Sequence, residues 1–315
     1  MSRIYSRAVA AAALIAFTGA AATGLPREVR AQTAPAADPN RLFADSTLIV
    51  RDHLSVEVVG SGPDLILVPG LNSSRQTWKH TAERLRGRYR LHLVQVAGFA
   101  GEPARANATG RVLAPTAEAI DAYIVEAKLA PAVYIGHSLG GTMGLYLAEH
   151  HPEHLKKLLL VDSLPFYGVL MGGPAATAET VKPMADRMEA MMSAPGAAAF
   201  DVTPMMKSMV KDPDGLKAVV SWSKASNGSV GGRAMADDAT LDLRPGLQAV
   251  QTPITLIYPF DPGMGAPLAQ WDGLYNSQFA PIPHKTLVRV DDSRHFVMFD
   301  QPARFDAALD AFLAG

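Results

Sequence analysis

Apolar residues in this chain gather into short, nearly uninterrupted runs. Leu65-Ile66-Leu67-Val68, Ala132-Val133-Tyr134-Ile135, Leu158-Leu159-Leu160-Val161, Ile254 to Phe260 and Thr286 to Val290 are of this kind. Runs of this length without polar alternation predict strands covered on both faces, as in a parallel sheet. Tyr89 to Val96 predicts another strand. Residues 48–59 alternate more loosely and predict a hairpin-like pair of opening strands, followed by the turn Gly60-Ser61-Gly62-Pro63. Between the strands the apolar spacing turns helical. It does so at Trp78 to Leu85, at Thr116 to Leu129 with Ala119, Ile120, Tyr123, Ile124 and Ala127 on one side, at Thr142 to Ala148, and from Pro302 through Phe305, Ala308, Leu309 and Phe312. Thr116 is the expected cap of the second helix, with Glu118 and Asp121 favouring its dipole. Strands alternating with helices predict a parallel α/β sheet.

That rhythm breaks between residues 164 and 235. The stretch contains nine methionines, from Met171 to Met235, and no clear strand. It predicts a helical insertion, a cap whose flexible, polarizable methionines line a pocket or simply pack helix on helix. The start of the chain also stands apart. Arg3 and Arg7 precede an apolar run from Ala8 to Ala22, too short for a membrane span, and Val29-Arg30-Ala31 suits cleavage before Gln32. Residues 1–31 are expected to be a secretory signal peptide and 32–47 a flexible leader, so the mature protein is expected in the periplasm or outside the cell, with no stable membrane span. The remaining layout is a first core part at 48–163, the cap at 164–235 and a second core part at 236–315.

Composition adds limits. The 315 residues are 48% hydrophobic and 19% charged, enough for a sizeable core. Loss of residues 1–31 removes four arginines and one glutamate and takes the formal charge from −1 to −4. No basic block is present, which argues against nucleic acid as a partner. The absence of cysteine excludes a disulfide framework.

The candidate chemistry centres on Gly136-His137-Ser138-Leu139-Gly140, set between a strand and a helix. This is the pattern of a nucleophile elbow, a sharp turn that presents a serine hydroxyl at the carboxyl edge of a sheet. A serine hydroxyl needs a contacting base and a third group to orient that base. His295 follows the last strand and Asp261 the strand before it, giving the chain order Ser138, Asp261, His295. The backbone N–H groups of Leu139 and of Leu71, after the Leu65–Val68 strand, are the expected oxyanion donors. Asn72, Ser73 and Ser74 are either substrate contacts or turn formers.

Strand–Pro69-Gly70-Leu71, the serine elbow, strand–Asp261 and Arg294-His295-Phe296 resemble the α/β-hydrolase fold superfamily over roughly residues 48–315. His295-Phe296-x-x-x-Asp300-x-Pro302 resembles its lipase/esterase and meta-cleavage hydrolase branch. The resemblance implies a mostly parallel eight-stranded sheet flanked by helices, a helical cap, a Ser-Asp-His triad and no cofactor. Two features depart from the pattern: Pro69 stands where many members have His, and Tyr258-Pro259-Phe260 stands where a glycine usually precedes the acid. Asp162, after the strand that follows the elbow, therefore stays open as the acid, with Asp291 and Asp292 weaker candidates. The expected activity is that of a serine hydrolase, a carboxylesterase on small apolar acyl esters. The alternatives are a C–C bond hydrolase or amidase with the same triad, and a non-catalytic protein holding an apolar ligand. His137 is expected to support the elbow sterically. His150, His151 and His154 are separated by Pro152, share no helical face, and are expected to form a solvated helix end and no metal site.

Overall fold

The computed structural model describes residues 38–315. The expected signal peptide and the first residues of the expected leader lie outside the described residues. Eight strands form one sheet: β1 (Thr47–Val50), β2 (Leu54–Gly60), β3 (Asp64–Val68), β4 (Arg90–Val96), β5 (Ala132–His137), β6 (Leu155–Val161), β7 (Ile254–Phe260) and β8 (Lys285–Asp291). Their order across the sheet is β1-β2-β4-β3-β5-β6-β7-β8. The two β2 pairings are antiparallel and every pairing from β4 to β8 is parallel. The outer helices are α1 (Lys79–Leu85), α2 (Leu113–Glu126), α3 (Leu139–His150), α9 (Leu268–Phe279), α10 (Val297–Asp300) and α11 (Pro302–Ala314).

The continuous apolar runs have a direct cause. Leu65 and Leu67 point to one face of the sheet, where they pack with Leu85 of α1 and Phe305, Leu309 and Phe312 of α11. Ile66 and Val68 point to the other, against Ile120 and Ile124 of α2, Met143 and Leu147 of α3, and Phe279 of α9. A two-residue period with both faces covered leaves no position for a polar residue.

The insertion between β6 and β7 is helical: α4 (Val169–Gly172), α5 (Ala178–Ser193), α6 (Thr203–Met209), α7 (Pro213–Ala225) and α8 (Gly228–Thr240). It runs past the expected limit at 235, because Asn227 caps α8 through a bond from Val230 N–H and the helix continues to Thr240. The methionines divide. Met171, Met206 and Met209 pack against the core, whereas Met184, Met191 and Met205 are at least half exposed. Thr116 does not cap α2: the helix begins three residues earlier, at Leu113, and Thr116 is buried inside it. Its amide bonds to Val112 C=O at 3.0 Å.

The described end of the expected leader is not free either. Glu57, fully buried on β2, accepts bonds from the amides of Leu42 and Phe43 at 2.8 Å and from Ser46 Oγ at 2.7 Å. Arg75, equally buried, lies 3.6 Å from Glu57 and 3.5 Å from Asp38 and bonds Ser55 Oγ. A buried charge without partners would be costly, so this ionic set holds residues 38–46 against the sheet. Among the described residues no helix is long and apolar enough to cross a membrane.

Candidate active site

Ser138 joins β5 to α3 with φ 53° and ψ −124°, a strained conformation outside the helical region. Its amide bonds to Val161 C=O at 2.9 Å, which fixes the turn to β6. The flanking glycines are dictated by space. A Cβ at Gly136 would lie 2.4 Å from Gly140 C=O oxygen, and one at Gly140 would lie 2.5 Å from that of Val68. A Cβ at Gly70 would lie 2.9 Å from Ser138 Cβ, so the loop bearing Leu71 runs directly against the elbow. Leu139 opens α3, where first-turn amides have no intrahelical acceptor. The two expected oxyanion residues therefore flank Ser138.

That loop is held by its own polar groups. Gln95 Oε1 accepts from Arg75 N–H at 2.8 Å, and Gln95 Nε2 donates to Ser73 C=O at 3.2 Å. Ser73 Oγ donates to Leu71 C=O at 3.2 Å and Ser74 Oγ to Asn40 Oδ1 at 2.7 Å. Ser73 and Ser74 are thus turn formers. Asn72 has φ 53° and a buried Oδ1 without a partner among the described residues.

His295 follows β8, and the structure brings it to Asp162. Its Nδ1 lies 2.6 Å from Asp162 Oδ2. The other oxygen, Oδ1, accepts from the hydroxyl of Tyr275 on α9. Burial pushes the Tyr275 phenol well above its ordinary value, with the Asp162 charge adding to the effect, so it stays a donor. Asp261, the acid expected from chain order, is not brought to His295. Its Oδ2 takes Lys211 Nζ at 2.6 Å, and its Oδ1 takes Arg294 Nη2 at 3.2 Å and Gly263 N–H at 2.9 Å. Lys211 first, then Gly263 N–H and Arg294, hold the Asp261 carboxyl below the usual carboxylate range against the opposing effect of burial. The reason for the exchange is occupancy. Both acids follow parallel strands at the same sheet edge, but a cap lysine and the arginine beside His295 saturate Asp261. Asp291 and Asp292 are likewise taken, by Arg289 and Lys211.

His137 does more than fill space. It is fully buried, its ring centroid is 4.5 Å from that of His295, and its Nε2 lies 3.0 Å from His295 C=O. Burial, reinforced by the His295 charge, pushes it well below the ordinary imidazole value. A neutral ring facing a carbonyl must carry its proton on that nitrogen, so Nε2–H donates. Neither Tyr275 nor this bond had a signal in the sequence, because both depend on pairings more than a hundred residues apart.

His151 and His154 do meet a carboxylate. His154 Nδ1 is 2.8 Å from Asp121 Oδ1, and His151 Nε2 is 3.0 Å from Glu118 Oε2. Each bond uses one ring nitrogen and ties the end of α3 to α2, at the opposite sheet edge from Ser138; although the two histidines share no α-helical face, the fold brings their ligand atoms and that of Asp121 within 4.8 Å of one another. A groove of about 1290 Å³ also lies away from the site, between the β7–β8 edge and α11 and lined in part by Ile254, Lys285 and Phe312.

Residues 65–308 match the family model described as the alpha/beta hydrolase family. The chain is 34% identical over 106 residues to a pimeloyl-[acyl-carrier protein] methyl ester esterase of Vibrio vulnificus (strain YJ016), covering 34% of this chain and 39% of that protein. It therefore spans about two fifths of that relative's length. It is 25% identical over 251 residues, 78% of this chain and 91% of the relative, to the protein of the same name in Salmonella newport (strain SL254). A thermophilic esterase from Thermogutta terrifontis superposes with a TM-score of 0.69 at 18% identity, over 86% of this chain and 98% of that one, a likeness of fold.

Proposed function

The chain belongs to the alpha/beta hydrolase family, and on that premise we propose that it is a serine carboxylesterase acting on small apolar acyl esters. The observation that carries the reading is the 2.6 Å bond between His295 Nδ1 and Asp162 Oδ2, at the sheet edge that also bears Ser138. With its Nδ1–H donating a hydrogen bond to Asp162, the neutral imidazole keeps a lone pair on Nε2. That nitrogen takes the Ser138 proton as Oγ attacks the ester carbonyl. The Leu71 and Leu139 amides stabilise the oxyanion. His295 then protonates the departing alkoxide. A water molecule, activated by the same imidazole, hydrolyses the acyl-enzyme and restores Ser138. Asp162 fixes the tautomer and compensates the imidazolium that forms twice per turnover. The relatives named as methyl ester esterases support an ester over an amide or C–C bond. The proposal includes export: a basic start, an apolar run and a cleavage pattern before Gln32 favour the periplasm or the exterior.

Ser138→Ala, assayed with p-nitrophenyl butyrate, tests the assignment. Loss of a triad nucleophile lowers kcat by about 10⁴-fold or more. A purified variant that keeps wild-type turnover overturns the proposal.

A further inference from the structure

Pro152 ends α3 but does not part the histidines on either side of it. It opens a 3₁₀ turn, Pro152–His154, closed by a bond from His154 N–H to His151 C=O at 3.0 Å. Residues three apart come to the same side of such a turn. The His151 and His154 rings are accordingly parallel within 6°, with centroids 5.9 Å apart. Both face one carboxylate, that of Asp121 on α2. His154 Nδ1 lies 2.8 Å from its Oδ1, and His151 Nδ1 lies 3.8 Å from its Oδ2. Both rings stay partly exposed, so an ion can reach them.

The remaining ring nitrogens fix the tautomers. His151 Nε2 is 3.0 Å from Glu118 Oε2. An ionised carboxylate only accepts, so Nε2–H donates. In the neutral ring Nδ1 then holds a lone pair, and that lone pair meets Asp121 Oδ2 with no proton between them. Glu118 is itself held, because its Oε1 accepts from the Tyr146 hydroxyl at 2.9 Å. His154 Nε2 lies 3.8 Å from Glu153 Oε1. A carboxylate behind each imidazole is the usual setting of a metal-bound histidine, where it fixes the ring and raises its basicity. Among the described residues no lysine or arginine pairs with Glu118, Asp121 or Glu153. Their negative charge is left for a cation.

We propose that Asp121, His151 and His154 bind a late first-row divalent metal ion, zinc foremost, with Glu118 holding the His151 ring. Two imidazole nitrogens and one carboxylate oxygen suit zinc and leave its fourth position to water. A tetrahedral zinc sets neighbouring ligand atoms about 3.3 Å apart, between the 2.8 and 3.8 Å found here. Loading moves one proton: His154 passes from the Nδ1–H to the Nε2–H tautomer, which faces Glu153, with no net release. The ion clamps α2 to the end of α3, so the site does not depend on the ester chemistry at Ser138.

Titration calorimetry and melting curves on the EDTA-dialysed protein test the site. ZnCl2 is expected to bind with one equivalent and a Kd of about 10 µM or below. At about a hundredfold above Kd it should raise Tm by about 5 °C. MgCl2 at equal concentration should do neither, since magnesium avoids imidazole. His151→Ala and His154→Ala should abolish both signals. Glu118→Gln should weaken zinc binding about 10–100-fold, the usual worth of a carboxylate behind a metal-bound imidazole. His284→Ala, which removes an exposed histidine elsewhere, should change nothing. A wild type that takes up no zinc, or magnesium bound as tightly, overturns the proposal without recourse to any variant. Zinc binding retained in the His151→Ala/His154→Ala double variant, unchanged in Glu118→Gln or lost in His284→Ala overturns it as well.

Discussion

At the scale of single residues, two aspartates that follow neighbouring strands carry different loads. Asp162 meets an imidazole and a phenol and, among the described residues, no lysine or arginine. Asp261 meets Lys211 and Arg294 and no imidazole. Asp162→Asn should therefore lower kcat by about 10³–10⁴-fold with folding intact, because the amide favours the wrong imidazole tautomer. Asp261→Asn should cost less than about tenfold in rate, since its ion pairs lie outside the reacting atoms. Its effect belongs to stability, and pH gives the sign. The folded pKa of Asp261 lies below its ordinary 3.8, so its contribution is present above about pH 4 and is lost as pH falls through the folded value. Melting curves should show Asp261→Asn less stable than wild type at pH 7, with the difference shrinking as pH falls below about 4. A rate loss in Asp261→Asn that matches Asp162→Asn would reverse the roles argued here.

At the scale of elements, the loops that carry Leu71 and His295 are braced from behind rather than by their own length. The loop after β3 hangs on Gln95 of β4 and on the buried set Arg75, Glu57 and Asp38. The His295 loop is tied to the cap through Asp300, which accepts from Arg294 N–H at 2.8 Å and, across the chain, from Lys211 N–H at 2.8 Å and Asp212 N–H at 3.0 Å. Removal of one partner from a buried ionic set leaves uncompensated charge and costs about 3–5 kcal/mol. Arg75→Met keeps the volume and strips the only cation paired with Glu57 among the described residues. Denaturant unfolding should show a loss of that size, with esterase activity falling in parallel because the Leu71 amide loses its support. A variant as stable as wild type would mean that the carboxylates find other partners.

At the scale of the whole molecule, the eight-stranded sheet brings segments distant in sequence to one edge, and the helical insertion covers them. Strand register makes this possible: His137 pairs with Val161 and Phe260 with Asp291, so each parallel strand releases its loop at a comparable height. The start of the chain is a separate matter. Its basic residues, apolar run and Val29-Arg30-Ala31 predict export, so N-terminal sequencing of protein recovered from a periplasmic fraction should begin at Gln32. A start at Met1 would contradict cleavage.

The chain by itself determined the strands, the helices between them, the insertion and the serine elbow. Each of these is written in local patterning: unbroken apolar runs for strands packed on both faces, 3.6-residue spacing for helices, and glycines where the backbone at Ser138 leaves no room for a Cβ. Only the tertiary structure decided which aspartate meets His295, that His137 donates to the carbonyl of His295, and that Arg75 is buried. Those outcomes depend on which side chain reaches an oxygen first across more than a hundred intervening residues. Lys211 claims Asp261 from a cap whose docking no local pattern encodes, and Asp162 is left for the imidazole.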